Sequence, residues 1–238
     1  MLRLKRVILL LLLFPGCESQ EILPKTTGTE YYPVRVDAYW EYDVVETSIT
    51  QVGGQTTSLY ELRILIADSV LITGGVSYVF ERSKRPDASA PWTALDTWSA
   101  QIGTFQVIEQ QGNIPFVKLR FPLSEGKSWN GNELNSLGGS DPCGDGSIHC
   151  DNYAVSSLAK PFESQGISYT NSVTIIENNN SDPIVMKDVR IAVYAKSIGL
   201  VHREETILSY CTVGDCIGKQ IIENGILYKQ TLRTHGGL

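Results

Sequence analysis

The sequence predicts a mainly β protein: an antiparallel meander forming a curved sheet or open barrel, with few helices. Three observations carry this. Apolar and polar residues alternate with a period of two along most of the chain. Short Gly-, Asn- and Ser-bearing turns punctuate the alternating runs. No apolar repeat of helical period persists for twelve positions. Successive strands joined by short turns pair most simply with their chain neighbours, antiparallel.

Taken in order, residues 39–50 place Trp40, Tyr42 and Val44 on one face and Glu41 and Asp43 on the other. A turn at 52–55 leads to 58–68, where Tyr60, Leu62, Ile64 and Ile66 share a face opposite Glu61 and Arg63. Together these read as a hairpin. Further strands are expected at 76–84, 92–101, 104–110 and 114–123, the last two flanking a Gly112-Asn113 turn. Residues 124–132 read as a loop carrying Trp129, and 133–152 as a polar excursion. Strands are expected again at 153–160, 167–177, 184–196, 199–210 and 220–234, with 177–183 as an Asn-rich turn.

The N-terminus has a different grammar. Arg3, Lys5 and Arg6 precede an apolar run from Val7 to Phe14, followed by Pro15-Gly16-Cys17. That is the order of a secretory signal. The run is about half of the roughly 20 residues that a spanning helix needs. Pro15 and Gly16 then interrupt any helix. Leu13 to Cys17 resembles a bacterial lipobox, although Phe14 and Pro15 depart from its commonest letters. The resemblance implies cleavage after residue 16 and lipidation of Cys17, with two or more acyl chains giving stable anchoring. An ordinary signal peptide is the alternative. Glu18, rather than Asp, after the cysteine favours the outer membrane by the same resemblance. The expected organisation is a signal peptide at 1–16, a lipidated flexible tether at 17–30 and a single β-rich domain at 31–238.

Without residues 1–16 the chain keeps 17 basic and 26 acidic residues, a net charge of −9. That charge repels phosphate backbones, so nucleic acid is not an expected partner. With Cys17 set aside, four cysteines remain in two close pairs, Cys143/Cys150 and Cys211/Cys216. Export makes disulfides the natural reading, with local pairing preferred over the crossed alternatives. Four-thiolate zinc binding lacks the Cys-x2-Cys spacing of a zinc knuckle.

Residues 141–152 partly follow a calcium loop, with Asp141, Asp145 and Asp151 as candidate ligands. Cys143 occupies an oxygen-ligand place there, and Asn152 stands where a closing Glu belongs. A disulfide-closed polar loop is the simpler reading, and calcium is the only cofactor with a candidate place. His149, His202 and His235 are the only histidines, and no nucleophile elbow, His-Glu-x-x-His or Walker loop is present. Glu41, Asp43 and Glu61 lie on adjoining polar faces, as a glycosidase pair or a solvated sheet would place them. Trp92, Trp98 and Trp129 are candidate sugar-stacking residues, or core edges.

Two segments, "YYPVRVDAYWEY" (31–42) and "VYAKSIGLVHREE" (193–205), resemble the "YYPLKVGNYWVY … YAKGVGLV" pattern of uncharacterised Bacteroidetes-type secreted proteins and lipoproteins. The lipobox, residues 116–132 and the terminal "YKQTL" (228–232) fit the same group. Asp37-Ala38 and Ser197-Ile198 depart from it, at places where Gly-Asn and Gly-Val are usual. The resemblance implies an envelope location and a β-rich fold, with no catalytic residues to transfer. The expected function is a non-catalytic, lipid-anchored envelope module. Its partners would be the membrane, through the lipid on Cys17, and a glycan, an apolar ligand or an envelope protein. The alternatives are a carrier holding an apolar ligand in a concave sheet, and a glycan-binding or glycoside-hydrolysing surface protein.

Overall fold

The computed structural model describes residues 28–73, 75–137 and 151–238. Cys17, Asp141, Cys143, Asp145, His149 and Cys150 lie outside them. Twelve strands form one antiparallel sheet: β1 (Tyr39–Thr50), β2 (Gly54–Ile72), β3 (Gly75–Arg85), β4 (Thr93–Ile102), β5 (Gln106–Gln111), β6 (Ile114–Arg120), β7 (Ser128–Asn130), β8 (Asn152–Ser164), β9 (Ile167–Asp182), β10 (Met186–Ala195), β11 (Gly199–Tyr210) and β12 (Ile222–Gly236). The spatial order is β6-β5-β4-β3-β2-β1-β12-β11-β10-β9-β8-β7. Each strand thus lies beside its chain neighbours, save that β6 and β7 form the two edges, and the first and last strands meet in the middle. The only helical pieces among the described residues are 3-10 turns at Thr29–Tyr31 and Gly214–Cys216. The expected meander is observed, curled into a nearly closed barrel.

The edges β6 and β7 approach at a seam. Val117 N–H donates to Gly131 C=O (2.9 Å), and Gly131 N–H donates to Asp151 C=O (2.9 Å). The Trp129 indole N–H donates to Val117 C=O (2.7 Å), and its ring is buried against Tyr153 with centroids 6.0 Å apart. Gly131 leaves room for that tyrosine, because a Cβ there would lie 2.2 Å from the Tyr153 ring. The segment expected as a loop at 124–132 therefore contains β7. Three residues of strand carry almost no alternation, so the sequence had no period to show.

The other differences lie at strand ends. β2 runs to 19 residues because Thr56, Thr57 and Ser58 pair with Ser48, Thr47 and Glu46, with Thr47 and Thr57 hydroxyls 2.9 Å apart. The Asn-rich stretch expected as a turn continues β9, with Asn178 to Asn180 opposite Arg190 to Asp188. Asn178 is buried and hydrogen-bonded to Asp151 and Asp188, which supports it in a strand. The β8–β9 turn is Gln165-Gly166, both with positive φ, as a two-residue hairpin requires.

Residues 28–38 form a strap across one end of the barrel. Tyr31 is buried and its hydroxyl donates to Asn171 on β9. Ser197 N–H donates to Glu30 C=O (2.7 Å), and Asp37 N–H to Ile66 C=O (2.9 Å). Beneath the strap, the Trp40 indole donates to Ile198 C=O (2.6 Å) and the Tyr42 hydroxyl to Leu200 C=O (3.1 Å). Gly199, with φ +96°, makes the turn that brings those carbonyls within reach.

Seam closure is testable by urea unfolding. Trp129→Ala is expected to cost about 3–5 kcal/mol, the range for truncating a buried large aromatic. Trp129→Phe keeps most of the ring but loses the N–H, and is expected to cost about 1 kcal/mol. Equal losses for the two would show that the indole hydrogen bond, and not the packing, holds the seam.

Candidate functional site

Twelve strands enclose more space than their inward side chains fill. The remainder is a cavity of about 500 Å³. Its walls are the even-numbered positions of β1 to β4, including Trp40, Tyr42, Glu46, Tyr60, Ile64, Phe80, Arg82, Asp96 and Trp98. Alternation puts them there: Val44 pairs with Tyr60, Ile64 with Arg82, Phe80 with Trp98 and Arg82 with Asp96. Opposite stand Glu109 on β5, Lys118 on β6, Glu177 on β9, Tyr194 on β10, Arg203 and Glu205 on β11, and Tyr228 and Gln230 on β12. The strap contributes Tyr32, Pro33 and Val34 as the floor. Exposed Lys84, Leu95 and Asp96 mark where the cavity reaches solvent.

The charges in this lining are organised. Glu177 is almost wholly buried between Lys118 and Arg203; Lys118 Nζ is hydrogen-bonded to Oε1, and Arg203 lies 3.5 Å from Oε2. Burial alone would raise the Glu177 carboxyl; the cations of Lys118 and Arg203 outweigh it and hold the group below the usual range. Arg203 also meets Glu205 at 2.5 Å. Arg82 Nη1 donates to both carboxylate oxygens of Asp96 (3.0 and 2.9 Å), and the guanidinium stacks over Trp98 at 3.7 Å. Glu46 accepts from the Tyr60 hydroxyl (2.9 Å), and Glu109 from Tyr32 (2.7 Å) and Gln111 (2.6 Å).

Burial raises the Tyr32, Tyr42 and Tyr194 phenols well above their ordinary value and pushes Tyr228 up to about 12. They remain protonated donors at any physiological pH. Gln230 is 4% exposed; its Oε1 accepts from Tyr228 (2.7 Å) while its Nε2 has no protein partner. A buried amide donor left over on a cavity wall is a place for a ligand oxygen.

The residues singled out from sequence separate cleanly. Trp98 lines the cavity; Trp129 is sealed in the seam; Trp92 lies half-buried under the Arg85 guanidinium, 4.2 Å from its ring centre, outside the cavity lining. Glu41 and Glu61 are held by arginines: Arg233 to both, and Arg85 to Glu61 (2.6 Å). Burial would raise Glu61, but hydrogen bonds from Arg233 and Arg85 hold it down. Cys211 and Cys216 form a disulfide, with Cα atoms 5.8 Å apart. Asp151 is engaged by Arg190 (2.9 Å) and Asn178 (3.3 Å). Among the described residues no cluster of His, Cys, Asp or Glu suited to a metal occurs. Of the face shared by Tyr60, Leu62, Ile64 and Ile66, Tyr60 and Ile64 line the cavity, while Leu62 and Ile66 are buried in the core. Arg82, Asp96, Glu177, Arg203 and Gln230 were missed, since inward charges alternate as outward ones do.

No protein-family model and no curated protein matches the chain. Two solved structures are similar in outline. One is a Bacteroides fragilis protein inferred to be exported and described as having a YmcC-like fold: 11% identity, 87% of this chain and 98% of that one covered, TM-score 0.41. The other is a Parabacteroides distasonis protein inferred to be a lipoprotein: 8% identity, the same coverage, TM-score 0.37.

The buried triad sets an acid dependence. Because the folded-state value of Glu177 is depressed, its stabilisation is complete above the ordinary Glu value of about 4.3 and is lost as pH falls through the folded value. His202, held below the ordinary imidazole range by burial, adds a loss that begins as pH drops below about 6.5. Lys118→Met is expected to cost about 3–5 kcal/mol at pH 7, as for breaking a buried pair. Glu177→Gln should be less stable at pH 7 but lose less between pH 5 and pH 3. Parallel pH profiles for it and the wild type would contradict the assignment.

Proposed function

We propose that this is a lipid-anchored envelope protein that binds a small saccharide inside its barrel. The observation that carries this is the lining of the 500 Å³ cavity, which sets aromatic rings beside paired charges and one unmatched amide. The volume suits a ligand of small-molecule size. Aromatic faces at Trp98, Tyr60 and Tyr228 suit a sugar ring, while carboxylates, guanidiniums and Gln230 suit its hydroxyls as acceptors and donors. A purely apolar ligand would dehydrate those charges without replacing their hydrogen bonds, at considerable cost. That argues against the apolar-carrier alternative. Binding is preferred over glycoside cleavage because an acid catalyst needs a raised carboxyl. Among the described residues, Glu61 and Glu177 are held below the usual range by their paired cations, and Glu41 is paired with Arg233.

Anchoring through Cys17 is supported by the order of the basic, apolar and Pro-Gly-Cys segments, and the outer membrane by Glu18 after the cysteine. The described outer wall carries the arginine–glutamate ladder of Arg85, Glu61, Arg233 and Glu41, where a membrane-spanning barrel presents an apolar band.

Both parts have direct tests. On a glycan array, the wild-type chain is expected to retain a small saccharide; Trp98→Ala or Gln230→Leu should weaken it roughly tenfold, the effect of about 1.4 kcal/mol, and Trp92→Ala should not. A wild-type protein that retains nothing would sink the saccharide reading. Separately, Cys17→Ala is expected to abolish palmitate labelling and release the protein from the membrane fraction.

A further inference from the structure

The strapped end of the barrel carries an unusual surface. β2 and β3 extend beyond the Ile66–Phe80 pair to a hairpin tip where Leu71 is 85% and Val70 51% exposed. Next to it, the β4–β5 tip exposes Phe105 to 72%. The two tips enclose a groove of about 500 Å³ lined by Ile72, Val76, Ile102, Phe105 and Ile108. No Asp, Glu, Lys, Arg or His occurs in residues 69–80 or 97–108. At the far end, the β1–β2 turn Gln51 to Gly54 carries one amide and a single apolar side chain, Val52. Isolated exposed apolar residues are ordinary, whereas a charge-free cluster of them marks an interaction surface.

The chain itself indicates what covers it. Gly28 packs on Leu123, two residues beyond Phe121, whose N–H donates to Phe105 C=O (2.7 Å). The polypeptide therefore leaves the described structure beside the β4–β5 tip. Cys17 lies 11 residues earlier, within at most roughly 40 Å of extended chain. The cavity mouth lies away from the tips, since Lys84 and Asp96 stand nine and six residues, about 30 and 20 Å, along β3 and β4 from Gly75 and Ile102.

We propose that the β2–β3 and β4–β5 tips dock into the membrane that holds Cys17, fixing the barrel upright with its cavity mouth turned away from the lipid. This rests on the lipidation of Cys17 proposed above. Leu71 and Phe105 enter the acyl boundary, and the uncharged flanks let them do so without burying an ion. The lipid tether makes docking intramolecular, so even weak insertion of the tips is populated.

The test uses the full-length lipidated protein in phosphatidylethanolamine–phosphatidylglycerol vesicles with brominated acyl chains, with palmitate labelling checked in parallel. Leu71→Trp and Phe105→Trp are expected to add quenchable fluorescence about twofold or more above that added by Val52→Trp, as for side chains at the acyl boundary. Vesicles should also slow deuterium exchange across 69–76, and Leu71→Asp/Phe105→Asp should abolish that protection while keeping the palmitate. Equal quenching at both ends with the label intact overturns docking and leaves lipidation standing. Absence of the label overturns both. Protection that rises with protein concentration before vesicles are added assigns the tips to a second copy and overturns the proposal.

Discussion

The ion pair between Lys118 and Glu177 spans, from the inside, the one gap in the circuit of strands. Lys118 stands on β6 at one edge of the sheet, while Glu177 stands on β9, two strands in from the other. Seam hydrogen bonds at Val117 and Gly131 join the edges, and Trp129 covers the join. Because Glu177 is also shared with Arg203 of β11, the pair ties the seam to a strand two places further along the wall. A closed wall of this girth cannot be filled by side chains alone, and the space left over is the cavity. The electrostatics that complete the barrel are thus also the electrostatics of the site.

Such an interior has an energetic consequence. Buried ions desolvate at a cost that only good pairing offsets, and replacing them with apolar side chains is often neutral or stabilising. An interior built for stability alone would have used leucine and valine, as the packed layer of Val107, Leu119, Val173 and Ile175 does. The charges sit instead around the cavity, where matched pairs present both donors and acceptors to whatever enters. Preorganised polar groups of this kind give orientation and selectivity to a bound molecule.

Much of the fold was legible because its signals are local. Trp40, Tyr42 and Val44 announced a half-buried strand, Gly112-Asn113 announced a hairpin, and both are observed. What stayed hidden is non-local. Nothing near Trp129 says that its partner is the carbonyl of Val117, and nothing in the Asn-rich run tells that Asn178 meets Asp151 and Asp188. Arg82 and Asp96 share their strand faces with Phe80 and Trp98, and as charges they interrupt the apolar half of the pattern that points inward. Glu61 shows the opposite case, an outward residue buried by Arg85 of adjacent β3 and by Arg233 of β12, which reaches across β1. A single-strand pattern tells which residues share a face but not which face is concave.

The strand order also bears on how the molecule comes into being. β1 has β2 on one side and β12, the last strand made, on the other. The strap, drawn from the first described residues, rests on β9 and on the β10–β11 turn. Neither contact exists while the chain is still emerging, so the earliest residues must wait for the latest ones. Long-range closure of this kind is slow, because the loop entropy is spent before the contacts form. On the export proposed above, the N-terminus would reach the far side of the membrane well before there is a barrel to receive it. Its chemistry can be completed on an extended segment, and the strap then closes over a finished wall.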